Sequence, residues 1–422
     1  MLLFASELEL RLLLTELGEL FMPPFSPRSV GVRKPGLTHA QLVLLLGALL
    51  FVAGTADAQS SRPSRQYLRP KLPVWSSITA LKQIAPGVGW VIADGHLLWT
   101  DNDGAVWRDI TPCGPATGDL STVYALDRQH LWAAMLDTPG EWVDVPVTMR
   151  LLRTTNGGQK WSNLRFDAAL FPDLKKTNAR PSELLFVDPD HGWFLWSIPT
   201  GTQLSVGILL STQNGGRTWT ELPRPPSKHG VAFYTARDGW TTGQPDGSEL
   251  WVTHDAGQTW SEKTVPPPES CKDCQPWYRI PKFQNLMDGV VAITFEDGTN
   301  ARYVSTTYVT HDGGNSWQAI DIFEKSDPYV VDAGSTVCEV EMDVVRVFSD
   351  DEHGMRIRTA AGTIEPPYPA GLPPRGSVGP FDFVDLRHGW LTYCPWTCTA
   401  LMSTSDGGKT FKVTSPTRKP TP

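Results

Sequence analysis

Charge is scarce in this sequence. Asp, Glu, Lys and Arg make up 19% of its 422 residues, and their balance is −8 at neutral pH. Without an excess of Lys and Arg, the electrostatic footprint of a nucleic-acid binder is missing. No glycine-rich phosphate loop, nucleophile–base motif or histidine-rich metal spacing occurs. The sequence therefore gives no reason to expect a cofactor or a metal. Long apolar runs are missing too. Leu42 to Ala53 is too short for a transmembrane helix, which needs roughly 20 apolar residues.

What that run does suit is export. Arg33-Lys34 precedes it as a basic region, and Ala56-Asp57-Ala58 follows as a small-x-small cleavage pattern with Gln59 as the mature start. An uncleaved anchor is the alternative. Residues 1–58 thus read as a signal region, with Met1 to Pro27 as an overcalled start. Residues 59–72 read as a linker, 73–416 as the folded domain and 417–422 as a disordered tail. No transmembrane span is expected after cleavage. Export to the periplasm or the cell exterior implies an oxidising compartment. Six Cys remain, an even number that suits disulfides. Cys271–Cys274 and Cys394–Cys398 are the simplest pairs, with Cys113 and Cys338 left over. Zinc at Cys271 and Cys274 would need a second ligand pair, and only Cys394 and Cys398 are close-spaced.

Trp is abundant at 17, with 37 Gly and 36 Pro, as in an all-β chain of short strands and many turns. Six stretches share one pattern, Thr-x-Asp/Asn-x-Gly-x-x-aromatic. They are Thr100, Asn102, Gly104, Trp107; Thr154, Asn156, Gly158, Trp161; Thr212, Asn214, Gly216, Trp219; Thr253, Asp255, Gly257, Trp260; Thr310, Asp312, Gly314, Trp317; and Thr404, Asp406, Gly408, Phe411. A second motif precedes the boxes, an apolar stretch, a polar turn and Gly-Trp or a relative. Its copies end in Trp90, Trp132, Trp193, Trp240, Val290, Met355 and Trp390. The copy at His353-Gly354-Met355 has no box after it.

The physical reading is a four-stranded meander per unit, with the box as the hairpin between strands three and four. The Asp or Asn accepts turn N–H groups and the Thr hydroxyl joins that network. The Gly supplies positive φ, and the Trp buries apolar surface on the sheet. The box is therefore a folding device. One meander cannot bury both faces, but a radial repeat of them can. Gln59 to Pro422 gives about 52 residues for each of seven units. The expectation is an all-β, seven-bladed β-propeller with blades near 77–112, 119–168, 181–224, 229–265, 278–324, 335–368 and 377–416. Six blades, with the unit around Met355 reduced to a loop, is the alternative. Asp101-Asn102-Asp103-Gly104 has the composition of a calcium loop without its acidic spacing.

Binding surfaces on a rigid ring sit in loops. Trp277, Tyr368 and Trp396 fall outside the repeat and are weak candidates to face a ligand. His191, His353 and His388 share one turn position and read as hydrogen-bonded turn residues. His254 and His311 read as exposed box residues.

The boxes resemble the Asp-box (BNR) repeats of sialidases and sortilin-type propellers. Combined with the turn Asp385-Leu386-Arg387-His388-Gly389-Trp390, they are most similar to the photosystem II assembly and stability factor family. That resemblance implies an exported propeller that binds membrane-protein partners during assembly, and a basic surface patch in the photosynthetic members. The favoured reading is a non-enzymatic, monomeric binding scaffold for a protein or glycan. The alternative is a sialidase-type glycosidase. Tyr278-Arg279-Ile280-Pro281 resembles the sialidase motif whose Arg clamps a substrate carboxylate, but Arg279 follows four boxes where sialidases carry the motif before the first. No catalytic residue is assigned on the scaffold reading.

Overall fold

Seven antiparallel four-stranded sheets follow one another along the chain and stand as blades in a ring. The computed structural model describes residues 77–112, 119–137, 148–175, 179–198, 206–227, 230–243, 247–298, 302–325, 337–340, 342–350, 354–367, 377–394 and 398–416. Blade one is Ile78–Ala85 (β1), Val88–Ala93 (β2), His96–Thr100 (β3) and Arg108–Asp109 (β4). Blade two is Asp119–Ala125 (β5), Leu131–Leu136 (β6), Met149–Thr154 (β7) and Ser162–Asn163 (β8). Blade three is Arg180–Phe186 (β9), Gly192–Ile198 (β10), Val206–Thr212 (β11) and Thr220–Glu221 (β12). Blade four is Val231–Phe233 (β13), Gly239–Gly243 (β14), Glu249–Thr253 (β15) and Ser261–Lys263 (β16). Blade five has a first strand broken into Gln275–Tyr278 (β17) and Lys282–Phe283 (β18), then Gly289–Asp297 (β19), Arg302–Thr310 (β20) and Gln318–Lys325 (β21). Blade six is Val337–Val340 (β22), Asp343–Asp350 (β23), Gly354–Thr359 (β24) and Gly362–Ile364 (β25). Blade seven is Ser377–Phe383 (β26), Gly389–Cys394 (β27), Ala400–Thr404 (β28) and Lys412–Val413 (β29).

Second strands are buried on both faces, as in β2, β14 and β27, because a blade stands on either side. Their sequences accordingly lack a polar face, and the polar residues they hold, Thr241, Thr242 and Thr392, are buried with the rest.

All six boxes have the same geometry. The buried Thr hydroxyl donates to Oδ1 of the Asp or Asn at 2.8–3.1 Å. It accepts the N–H of the box Gly at 2.8–3.1 Å. The same Oδ1 accepts the N–H four residues on at 2.8–3.0 Å. Where that residue is hydroxylic and the box carries Asp, a third bond forms to Oδ2, at 2.6 Å from Thr259, Ser316 and Thr410. These donors favour the ionised carboxylate. Asp255 is held below its usual range first by Thr259, and Asp312 is lowered to about 2, first by Ser316. The box Gly is also a packing requirement. Gly314 has φ +82°, and a Cβ there would fall 2.5 Å from the Trp240 ring.

That contact belongs to a clasp between consecutive blades. The second-strand Trp of one blade lies flat on the first-strand Phe of the next. Trp132 stacks on Phe186 at 3.7 Å, Trp193 on Phe233 at 3.6 Å and Trp240 on Phe283 at 5.7 Å. The box Trp of the second blade meets these rings edge-on, as Trp219, Trp260 and Trp317 do. The indole N–H of Trp132 donates to Gly215 O, and that of Trp193 to Ala256 O, both in the next blade's box. Trp132 and Trp193 thereby keep their polar atoms satisfied while supplying a large apolar area.

Blade six is a full four-stranded blade, so the six-bladed alternative falls. The sequence offers four short strands there, at 336–341, 344–348, 355–359 and 362–366, and the structure holds four, so that Gly354-Met355 opens a third strand where the other copies of its motif open a second. Gly354 opens β24, the third strand, while the second strand β23 begins at Asp343, which pairs with Val340 of β22. A Gly before an apolar residue suits any strand start, so the short motif could not tell the two apart. The turn from β24 to β25 has only Ala360 and Ala361 at its tip, and buried Asp343 accepts the Ala360 N–H at 3.1 Å.

The ring closes without a shared strand among the described residues. Lys82 and the Gln83 N–H bind Asp382 at 2.7 and 2.8 Å. Asp103 accepts Trp390 Nε1 and Ser403 Oγ, both at 2.9 Å. Its place in a calcium-like run is thus a closure role.

Candidate binding surfaces

Antiparallel meanders sort their connections onto two faces. The turns between strands one and two and those between strands three and four, the boxes in all blades but the sixth, lie at one end of each blade. Strand ends leading to the two-to-three connections and to the next blade lie at the other.

On the first face, the turn before the second strand carries an imidazole–carboxylate pair in blades two, three and seven. Nδ1 of His130, His191 and His388 lies 2.8 Å from Asp127, Asp188 and Asp385, three residues earlier. Those Asp also accept the N–H groups of their turns. In blades four and five the partners exchange places. Asp238 and Asp288 stand where the His would be, and His254 and His311 reach them from the box at 2.8 and 2.7 Å. These exposed His are therefore paired, which their variable box position did not reveal. His353 lies outside the described residues.

On the second face, the insertion after Pro266 is pinned by a disulfide between Cys271 and Cys274. Trp277 is half-buried, with its ring 6.1 Å from Tyr303. Tyr278 is buried, and its hydroxyl accepts the Val265 N–H; burial pushes that phenol up, away from the ionised form a nucleophile needs. The Arg279 N–H donates to Ala292 O at 3.0 Å. Cys394 and Cys398 are bonded in blade seven. Cys338 lies in β22. Cys113, Tyr368 and Trp396 fall outside the described residues. Among the described residues, no group of three or more His, Cys, Asp or Glu is placed to hold a metal. None of their helices is long and apolar enough to cross a membrane.

Toward the ring centre, Glu183 of blade three accepts the Val231 N–H of blade four at 3.0 Å. The residue is half-exposed, but its carboxyl end is enclosed beside Gly230 and Ile280. Burial pushes that carboxyl up to about 7, against the Val231 bond and the charge of Lys82.

Two grooves open between blades on the box face. One, of about 350 Å³ between blades four and five, is lined by Trp240, Val252, Phe283, Leu286, Met287 and Asp312 among others. The other, of about 580 Å³ between blades two and three, is lined by Arg153, Lys160, Arg165 and Arg217, with Asn156 and Asn163 and no carboxylate. Arg153 is the built element of this second groove. Its guanidinium lies 5.1 Å over the Trp132 ring, and a Cβ on Gly215 would meet its Nη1 at 2.2 Å. Burial lowers its pKa, and so does the neighbouring charge of Arg217, with Asp190 opposing. Gathered positive charge on an acidic chain is the feature composition concealed.

No family model matches the chain. It is similar in sequence to a photosystem II assembly lipoprotein. Over 149 residues it is 26% identical to the "Photosystem II assembly lipoprotein Ycf48" of Synechococcus sp. (strain CC9902). The match covers 34% of the chain and 38% of that relative, less than half of either. Among solved structures, YCF48 bound to a D1 peptide shares 15% identity, with 71% of this chain and 83% of that one covered at a TM-score of 0.39. An ancestral GH74 enzyme shares 13%, with 82% and 47% covered at 0.46. These structural likenesses are of fold alone.

Proposed function

We propose that the chain is an exported, non-enzymatic propeller scaffold that binds a protein, a membrane protein during assembly, by gripping an acidic segment in the groove between blades two and three. The observation that carries this reading is the cluster of Arg153, Lys160, Arg165 and Arg217 without a lining carboxylate, on a chain of net charge −8. Like charges held together raise the energy of the empty groove, and a bound carboxylate relieves it with charge-assisted hydrogen bonds. The segment Arg33 to Ala58 supports export. The distant similarity to an assembly lipoprotein supports the class of partner. The repeated motifs are occupied with their own hydrogen bonds, which favours a scaffold over an enzyme.

Titration with a Glu-rich decapeptide tests this. Binding is expected to weaken at least tenfold in Arg153→Ala/Arg217→Ala and to fall steeply with salt. If a sulfated polysaccharide binds and the decapeptide does not, the partner is a glycan. Turnover of a fluorogenic sialoside that is lost in Arg279→Ala would replace the scaffold with a glycosidase.

A further inference from the structure

Blade five departs from the other six at its outer edge. Fourth strands elsewhere are two or three residues long, and such short edges keep sheets from pairing with other chains. β21 has eight residues, and no strand pairs with its outer edge among the described residues. Ile320 interrupts the ladder as a bulge, since Tyr308 faces Ala319 and Thr307 faces Asp321. From Asp321 to Lys325 the register with β20 is regular, which leaves about 17 Å of backbone edge available.

Apolar exposure concentrates on the same blade. Ile320 and Ile322 are 41% and 48% exposed, and Leu286 and Met287 are 60% and 52% exposed. These are four of the seven large apolar residues exposed among the described residues. At the positions of Leu286 and Met287 the other turns carry Arg128-Gln129, Pro189-Asp190, Ala236-Arg237 and Leu386-Arg387. The turn and β21 are connected: the Gly313 N–H donates to Met287 O at 3.0 Å, and the box runs through Trp317 into β21. Asp321 points inward and accepts Arg358 of blade six at 2.7 Å, so the edge is braced before anything binds. Asp288 and Asp312 stand beside the exposed apolar pair.

We propose that β21 and the turn Asn285 to Asp288 form a docking edge for an extended segment of a partner protein. The segment adds a strand to β21, with apolar side chains at alternate positions and a basic residue where it meets Asp288 and Asp312. The charge favours a basic partner over a second copy, since each copy of this chain carries −8. The proposal rests on the protein-binding reading above and adds a second contact to it.

A random octapeptide library displayed on phage, panned against the full chain, tests it. Enriched peptides are expected to alternate β-branched or aromatic residues with polar ones and to carry a terminal Lys or Arg. Their binding should slow amide exchange across residues 318–325. Ile322→Lys should weaken it at least tenfold with an unchanged melting temperature, and Leu286→Ser/Met287→Ser should weaken it less. The proposal is overturned if no peptide is enriched on the wild type relative to Ile322→Lys, or if protection falls elsewhere. A concentration-dependent dimer dissolved by Ile322→Lys would assign the edge to a second copy and overturn it as well. If the Glu-rich decapeptide still binds through Arg153 while β21 stays unprotected, only the edge fails. If neither binds, the protein-binding reading has failed.

Discussion

Between blades three and four, Trp193 lies flat on Phe233 and gives its N–H to Ala256, while Trp260 closes the group edge-on. Between blades five and six, the second-strand position holds Val290, and a two-residue turn replaces the box. What fills that seam is aliphatic and ionic. Val290, Ala292, Val309 and Val344 form a small cluster, and buried Asp321 faces Arg358 at 2.7 Å and Arg346 at 3.8 Å. The aromatic seam gains from area and from ring geometry. The ionic seam must recover the cost of desolvating its charges before it gains anything. The box is therefore a blade-to-blade staple, and the blade that lost it joins its neighbour by other means.

Four substitutions and a titration break or sharpen that contrast. Trp193→Ala should cost about 3–5 kcal/mol in denaturant unfolding, the range for a buried aromatic truncated in place. Asp321→Ala should cost about 3 kcal/mol by removing the buried carboxylate that faces Arg346 and Arg358. A loss below about 1 kcal/mol would mean the charges are not what holds that seam. Asp103→Ala removes two bonds to blade seven and should cost about 2 kcal/mol. Asp255→Ala should cost about 1 kcal/mol, as a lost capping carboxylate does. The pH titration separates carboxylates that the fold favours ionised from one it favours protonated. Asp255, Asp312 and Asp406 have lowered pKa values, so the stability they add is present above their unfolded values and is lost as pH falls from about 4 toward 2. Glu183 has the opposite sign. Its contribution is full below its unfolded value near 4.5 and is lost as pH rises through about 7. Melting temperature should decline on both sides, with Glu183→Gln flattening the upper limb and Asn at the three Asp boxes flattening the lower.

The six boxes, the seven copies of the motif that precedes them and the length per unit were together enough to read seven blades, because the box residues have one geometric job each. What varied inside the boxes was not readable as function. Asp103, Arg217, His254 and His311 all sit at x positions of the pattern, yet one closes the ring, one lines the groove and two complete a neighbouring turn. Their roles depend on which blade lies alongside, a distance in space that spacing along the chain does not encode. The groove was hidden for the same reason, since its cations come from two blades. Arg279 stood out by local motif, and beside it Tyr278 turned out to be a core residue.

The closure at Asp103 has a consequence for the order of events in folding. Within a blade, strands pair with their immediate neighbours in sequence, and each clasp joins one blade to the next. The bonds from Asp103 to Trp390 and Ser403 span 287 and 300 residues. Contacts of such separation carry the largest loop-closure entropy and form late. An open arc of stacked blades, with its two end faces still bare, is thus the species that precedes the ring.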